Sequence, residues 1–179
     1  MSNQTNEEVP LLPTENTTTV NPEKLTTYIE ELRNQQNLPL AIISGIFAAI
    51  IGGIIWAVIT VATEYQIGYM AIGVGFLVGF SVRYFGKGID TIFGIVGALL
   101  ALLGCLLGNL LSTIGFAFKD AEESFLEIIP LINYNLLPEI MVETFSPMDV
   151  LFYAIAIYQG YKFSFRVITE EDIIGNGTV

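Results

Sequence analysis

Leu38 to Ala62 reads LPLAIISGIFAAIIGGIIWAVITVA, 25 residues without one charge. About 20 predominantly apolar residues carry a helix across the ~30 Å hydrocarbon layer of a bilayer, so this run predicts a transmembrane helix. On its far side Thr63-Glu64-Tyr65-Gln66 leads straight into a second apolar run over about 65–82. So short a link joins the two as an antiparallel hairpin. Arg83-Tyr84-Phe85-Gly86-Lys87-Gly88 turns the chain again, and residues 89–118 follow as a third apolar segment, interrupted only by Asp90 near its start. At ~1.5 Å per residue a helix of that length reaches about 45 Å, so it must tilt, kink or protrude. Residues 148–166 form a shorter fourth segment. The expected fold is an all-α membrane protein: a three-span core over 38–118 (spans 38–62, 65–82 and 89–118) and a fourth span at 148–166.

Composition agrees. The 179-residue chain is 53% hydrophobic and only 14% charged, with a mean hydropathy of +0.62. A soluble domain carries about 25% charged residues. Histidine is absent, which excludes bis-histidine haem, histidine-ligated zinc and Ser-His-Asp or Cys-His nucleophile systems. The lone Cys105 can form neither an internal disulfide nor a thiolate cluster. A net charge of −11 disfavours nucleic acid, whose phosphates call for clustered Lys and Arg. No cofactor, metal or catalytic constellation is expected.

Beyond the spans the chain changes character. Residues 1–20, rich in Asn, Thr, Glu and Pro, read as a disordered tail with no signal-peptide pattern, so the N-terminus is expected to be retained. Residues 21–37 read as an amphipathic juxtamembrane helix: Asn21 as N-cap, Pro22 at the first position, and Leu25, Tyr28, Ile29 and Leu32 at helical spacing. Residues 119–147 carry Asp120, Glu122, Glu123, Glu127, Glu139 and Glu143 among many Leu, Ile and Phe, with Pro130 and Pro138 as breaks. The pattern predicts short amphipathic helices that lie in the outer interface or pack over the bundle mouth, with a re-entrant segment as the alternative. Residues 167–179 form a C-terminal tail.

With four spans and the N-terminus inside, Lys24, Arg33, Arg83, Lys87, Lys162 and Arg166 fall on the cytoplasmic side and only Lys119 outside. Both termini are then cytoplasmic. Trp56, Tyr65 and Tyr69 are expected toward the outer boundary and Tyr84, Tyr158 and Tyr161 toward the inner one.

Small residues recur every fourth position, in GxxxG-like ridges: Ala41, Gly45, Ala49, Gly53 and Ala57; Ala71, Gly75 and Gly79; Gly104, Gly108 and Ser112; Ala156, Gly160 and Ser164. Such ridges let helix backbones approach closely where lipid supplies no hydrophobic drive. Gly45, Gly53, Gly75, Gly79, Gly104, Gly108 and Gly160 are the expected packing or partner-contact positions. No ionisable group lies mid-span; Asp90 and Asp149 stand at span starts, where a carboxylate caps a helix. Asn109 and Gln159 are the polar residues at depth, suited to interhelical hydrogen bonds. Gly73-Val74-Gly75-Phe76-Leu77-Val78-Gly79 mimics a dinucleotide loop but lies inside a span, and Ser81 to Gly88 lacks the first glycine and the final Ser or Thr of a P-loop.

Along Gly53 to Asn109, above all Gln66-Ile67-Gly68-Tyr69-Met70-Ala71-Ile72-Gly73-Val74-Gly75, Gly86-Lys87-Gly88 and Leu103-Gly104-Cys105-Leu106-Leu107-Gly108-Asn109, the chain resembles small, uncharacterised bacterial inner-membrane proteins. The resemblance implies a bacterial inner membrane and carries no activity or site residue. The expected function is a non-catalytic accessory or assembly subunit of a larger membrane complex, with lipid and other membrane subunits, or a second copy, as partners. The alternative is a small oligomeric transporter or channel.

Overall fold

The computed structural model describes residues 22–65, 68–119, 139, 142, 146–169 and 172–173. The tail at 1–20, Asn21, most of the acidic segment at 119–147 and the end of the C-terminal tail lie outside these residues. Within them the chain is all-helical, with no strand: α1 (Pro22–Asn34), α2 (Leu38–Thr63), α3 (Met70–Gly86), α4 (Thr91–Phe118) and α5 (Pro147–Phe163). Two of them, α2 and α4, are long and apolar enough to cross a membrane; α3 is a shorter apolar helix of 17 residues.

The chain divides into two units, residues 1–31 with 168–179, and residues 32–167. In the first, α1 turns its Thr26 and Thr27 hydroxyls back onto the Pro22 and Glu23 carbonyls. The second is a bundle of α2 to α5.

Helix ends follow local chemistry. Asn37 caps α2, its side-chain oxygen accepting from Leu40 N at 3.0 Å, with Pro39 in the first turn where no donor is lost. Glu64 ends α2 in the left-handed region (φ 60°), and Lys87 ends α3 the same way (φ 50°), donating its N–H to Arg83 O at 2.9 Å. The second apolar helix starts later than the expected 65–82 and also finishes later, since Arg83 is tolerated inside the last turn of α3 and complements its dipole. Ser146 opens α5 with a capping box: Ser146 N donates to Asp149 Oδ2 at 2.8 Å while Ser146 Oγ accepts from Met148 N. Asp149 thus has its expected capping role. Asp90 does not: it precedes α4 without a capping hydrogen bond, and its carboxylate accepts instead from Arg33 Nε (3.2 Å) and Gln36 Nε2 (2.8 Å).

In the bundle α2 packs on α3 and α4, and α5 closes the other side against α3 and α4. Small residues set these distances. A Cβ added at Gly75 would stand 2.5 Å from Ala156 O and 2.9 Å from Ala156 Cα, so α3 and α5 meet backbone to backbone. A Cβ at Gly160 would lie 2.6 Å from Gly97 O, and one at Gly53 would lie 3.2 Å from both Gly104 O and Gly108 N. Gly79 faces Phe163, Gly45 faces Leu100 and Val82, Gly104 faces Val74 and Ala49, and Gly108 faces the Trp56 indole. The core between them is Ala, Val, Phe and Cys: Ala41, Ala71, Ala101, Ala156, Val78, Val82, Phe93 and Cys105 are all buried.

Gly73 is two residues from Gly75 on α3, and a Cβ there would meet nothing within 4 Å. Gly75→Ala is expected to cost about 1–3 kcal/mol of stability by forcing backbones apart, whereas Gly73→Ala is neutral or stabilising by up to about 1 kcal/mol through helix propensity. Thermal unfolding of both variants in lipid nanodiscs measures the contrast; equal midpoints would show that the α3–α5 approach does not set the packing.

Candidate functional site

The two ends of the bundle differ in chemistry. At the Asp90 end, three chain segments are clasped by hydrogen bonds. Gln36 Oε1 accepts from Ile89 N (3.0 Å) and Asp90 N (3.2 Å), while its amide nitrogen donates to Asp90 Oδ2. Asn37 N donates to Gly86 O at 2.9 Å, and Arg166 N donates to Gly88 O at 2.8 Å while its guanidinium donates to Gln35 Oε1 at 2.9 Å. One side chain, Gln36, thus holds both the turn N–H groups of Ile89 and Asp90 and the Asp90 carboxylate. This clasp fixes the α3–α4 turn and explains why Asp90 tolerates its position.

Toward the Lys119 end the buried residues become polar. Thr60 (0% exposed), Asn109 (3%), Ser112 and Asp149 are buried there, with Trp56 (1%) and Tyr153 beside them. Trp56 is buried among the helices: its ring lies against Gly108, where the absence of a side chain gives an indole room. Asn109, beside Gly108, meets the Tyr153 hydroxyl with its side chain, one turn of α5 beyond Asp149. Cys105 is fully buried, its sulfur 4.0 Å from Ala71 O, as a packing residue would be.

Of the two polar residues expected at depth, Asn109 enters this cluster and Gln159 does not. Gln159 is half-buried near Gly79, six residues from Tyr153 along α5 and hence about 9 Å away. The expected packing glycines all face other helices of the same chain. Trp56, Thr60 and Tyr153 were legible only as residue types; their shared location depends on which faces α2, α4 and α5 turn to each other. Glu139 and Glu143 fall in the acidic segment, of which Glu139 alone is described, and exposed.

The mouth of this end is bridged by one exposed ion pair, Lys119 Nζ donating to Glu64. The hydrogen bond and the charge of Lys119 hold the Glu64 carboxyl below its ordinary pKa. On the outside of the same half, α2 and α4 border a groove of about 800 Å³ lined by Ile54, Val58, Val61, Leu107, Leu111 and Gly115. Its lining is apolar throughout. Among the described residues no group of three or more Cys, Asp or Glu comes together as a metal site.

No protein-family model matches the chain, and no curated protein or solved structure matches it either. Its function is therefore argued from its own geometry.

Because the pair lowers the Glu64 pKa, its contribution is present above the ordinary glutamate value and lost as pH falls through the lowered one. In Lys119→Gln the Glu64 titration is expected to move up toward the ordinary range, as followed by the carboxyl carbon resonance in nanodiscs. An unmoved titration would mean the two side chains do not pair in a bilayer.

Proposed function

We propose that this is a non-catalytic, multi-pass inner-membrane protein of four spans, with both termini cytoplasmic, that joins a larger membrane complex through the outward face of α2. The observation that carries the reading is that face. Ile43, Phe47 (62% exposed), Ile51, Ile54 and Val58 (62%) present large apolar side chains along most of α2, and the face ends in the concave groove between α2 and α4. In lipid, helix association depends on shape-matched packing, not on hydrophobicity alone. A groove flanked by stiff β-branched side chains offers such a shape at low entropic cost. The glycine ridges are spent on contacts within the chain, and of the exposed apolar faces the one on α2 leads into the groove beside α4, which offers a second protein a shaped surface. The four-span topology is supported by the length of α2 and α4, by α3 and α5 running alongside them, and by the loop charges.

A small oligomeric transporter is the second reading, favoured by the buried polar residues at the Lys119 end. Polar side chains inside a membrane bundle are costly and often mark a route or a binding site.

Purification from native membranes in mild detergent, followed by mass measurement of the intact assembly, separates the two. A partner at fixed stoichiometry is expected, and Val58→Trp, which fills the groove, should lower its recovery about tenfold while Phe47→Trp, farther along α2, has a smaller effect. A monomer or homo-oligomer with no partner, together with solute flux in liposomes that Asn109→Leu abolishes, would replace this reading with the transporter.

A further inference from the structure

Helix hydroxyls in the bundle spend their proton on their own helix: Thr63 donates to Ile59 O (2.7 Å), Ser112 to Gly108 O (2.7 Å), Thr113 to Asn109 O (3.0 Å) and Ser164 to Gly160 O, while Ser44 is shared between Ala41 O and Ser81 O of α3. Back-bonding of this kind is the ordinary way to satisfy a hydroxyl inside a helix. Thr60 departs from it. Its Oγ1 has no hydrogen-bond partner although the residue is completely buried, and one turn earlier on the same face of α2 the Trp56 Nε1 is buried and equally unpartnered. Two orphaned polar atoms on one helix face, in a setting of low dielectric, are a standing cost unless something meets them.

The surroundings restrict what that something is. Trp56 Nε1 can only donate, so the group facing it must be an acceptor, which excludes an ammonium or a metal ion. No Lys or Arg is among the described buried residues, and the buried ionisable side chain toward this end, Asp149 on α5, is itself acidic, so an anion would find no counter-charge. Thr60 can donate or accept. The contacts of Gly108 with Trp56 and of Gly115 with Val61 bring Thr60 level with Ser112, whose oxygen keeps lone pairs after donating to Gly108.

We propose that the Trp56–Thr60 face of α2 is a binding site for a neutral oxygen ligand, which accepts from the Trp56 indole N–H and shares a hydrogen bond with Thr60 Oγ1. The source that fits is a bound water, because both residues are closed off from the outside of the bundle. It lends the helix interior a polar contact that its own side chains do not complete.

Trp56 is the chain's single tryptophan, so every indole signal reports this site. The full-length protein, labelled with ¹⁵N-tryptophan and placed in phosphatidylcholine nanodiscs, gives one indole N–H resonance. Through-space cross-peaks from that proton to water are expected, whereas cross-peaks to the lipid glycerol or first acyl carbons would overturn the assignment to water. In Thr60→Val the cross-peak should weaken at least severalfold and the tryptophan emission should move to shorter wavelength, while Thr63→Val, which removes a back-bonded hydroxyl one turn away, changes neither. An indole proton whose only through-space neighbours in the wild-type protein are protein atoms overturns the proposal, and this result stands whether or not Thr60→Val folds. An emission and resonance unmoved by Thr60→Val in a folded variant overturn it as well.

Discussion

The contact on which the rest of the bundle depends is that of two backbones without side chains between them. Where Gly75 meets Ala156 and Gly160 meets Gly97, helix axes approach as closely as the main chains permit. In a bilayer this matters more than in water, because apolar side chains gain nothing by leaving lipid for protein, and attraction must come from dense contact. Each close approach brings many atom pairs into range at once, individually worth only ~0.1–0.2 kcal/mol but collectively large. It also fixes register. Gly75 and Gly79 on α3, and Gly68 just before it, face Ala156, Phe163 and Phe152 on α5, so a slide of one helix past the other would drive a phenyl ring or a carbonyl into a position where a Cβ has no room.

Close packing by small residues leaves the bundle with little freedom at its ends, and each end solves that differently. At the Asp90 end, Gln36 ties the α3–α4 turn to the start of α2 with one acceptor oxygen shared by two N–H groups and one amide donor to Asp90. Exposed ion pairs such as Arg33–Asp90 contribute little on their own, about 0–1 kcal/mol. The clasp gains its strength from satisfying turn N–H groups that would otherwise be left to solvent. At the Lys119 end the exposed pair with Glu64 is the only such bridge described between α2 and α4, and polar residues are taken inside.

Much of this was legible in the chain and some of it was not, for one physical reason. Span positions depend on local apolar content, and the fourfold spacing of Ala41, Gly45, Ala49, Gly53 and Ala57 states that a face is made for close approach. Neither states which helix answers it. That α2 lies beside both α3 and α4 is a tertiary fact, and the fates of Trp56 and Asp90 follow from it. By residue type a tryptophan near a span end is expected at the interface; what its type does not show is the slot that Gly108 makes for it on α4. By position an aspartate before a helix is a cap, yet Gln36, 54 residues earlier, offers a better partner. Long-range partners of this kind leave no periodic trace.

The two faces of α2 thus carry opposite demands. One holds Trp56 and Thr60 in the bundle with polar atoms that their own helix leaves unmet; the other exposes Ile51, Ile54 and Val58 with no polar atom at all. A helix that only had to anchor a small protein in lipid would need neither: a back-bonded or apolar residue at position 60 would remove the first cost, and no concave surface beside α4 would be required for the second. Buried polar groups without partners cost stability, and natural chains rarely keep them where an apolar residue would pack as well. Both features fall on α2: an apolar outward face, and two buried polar atoms that no side chain of the bundle meets.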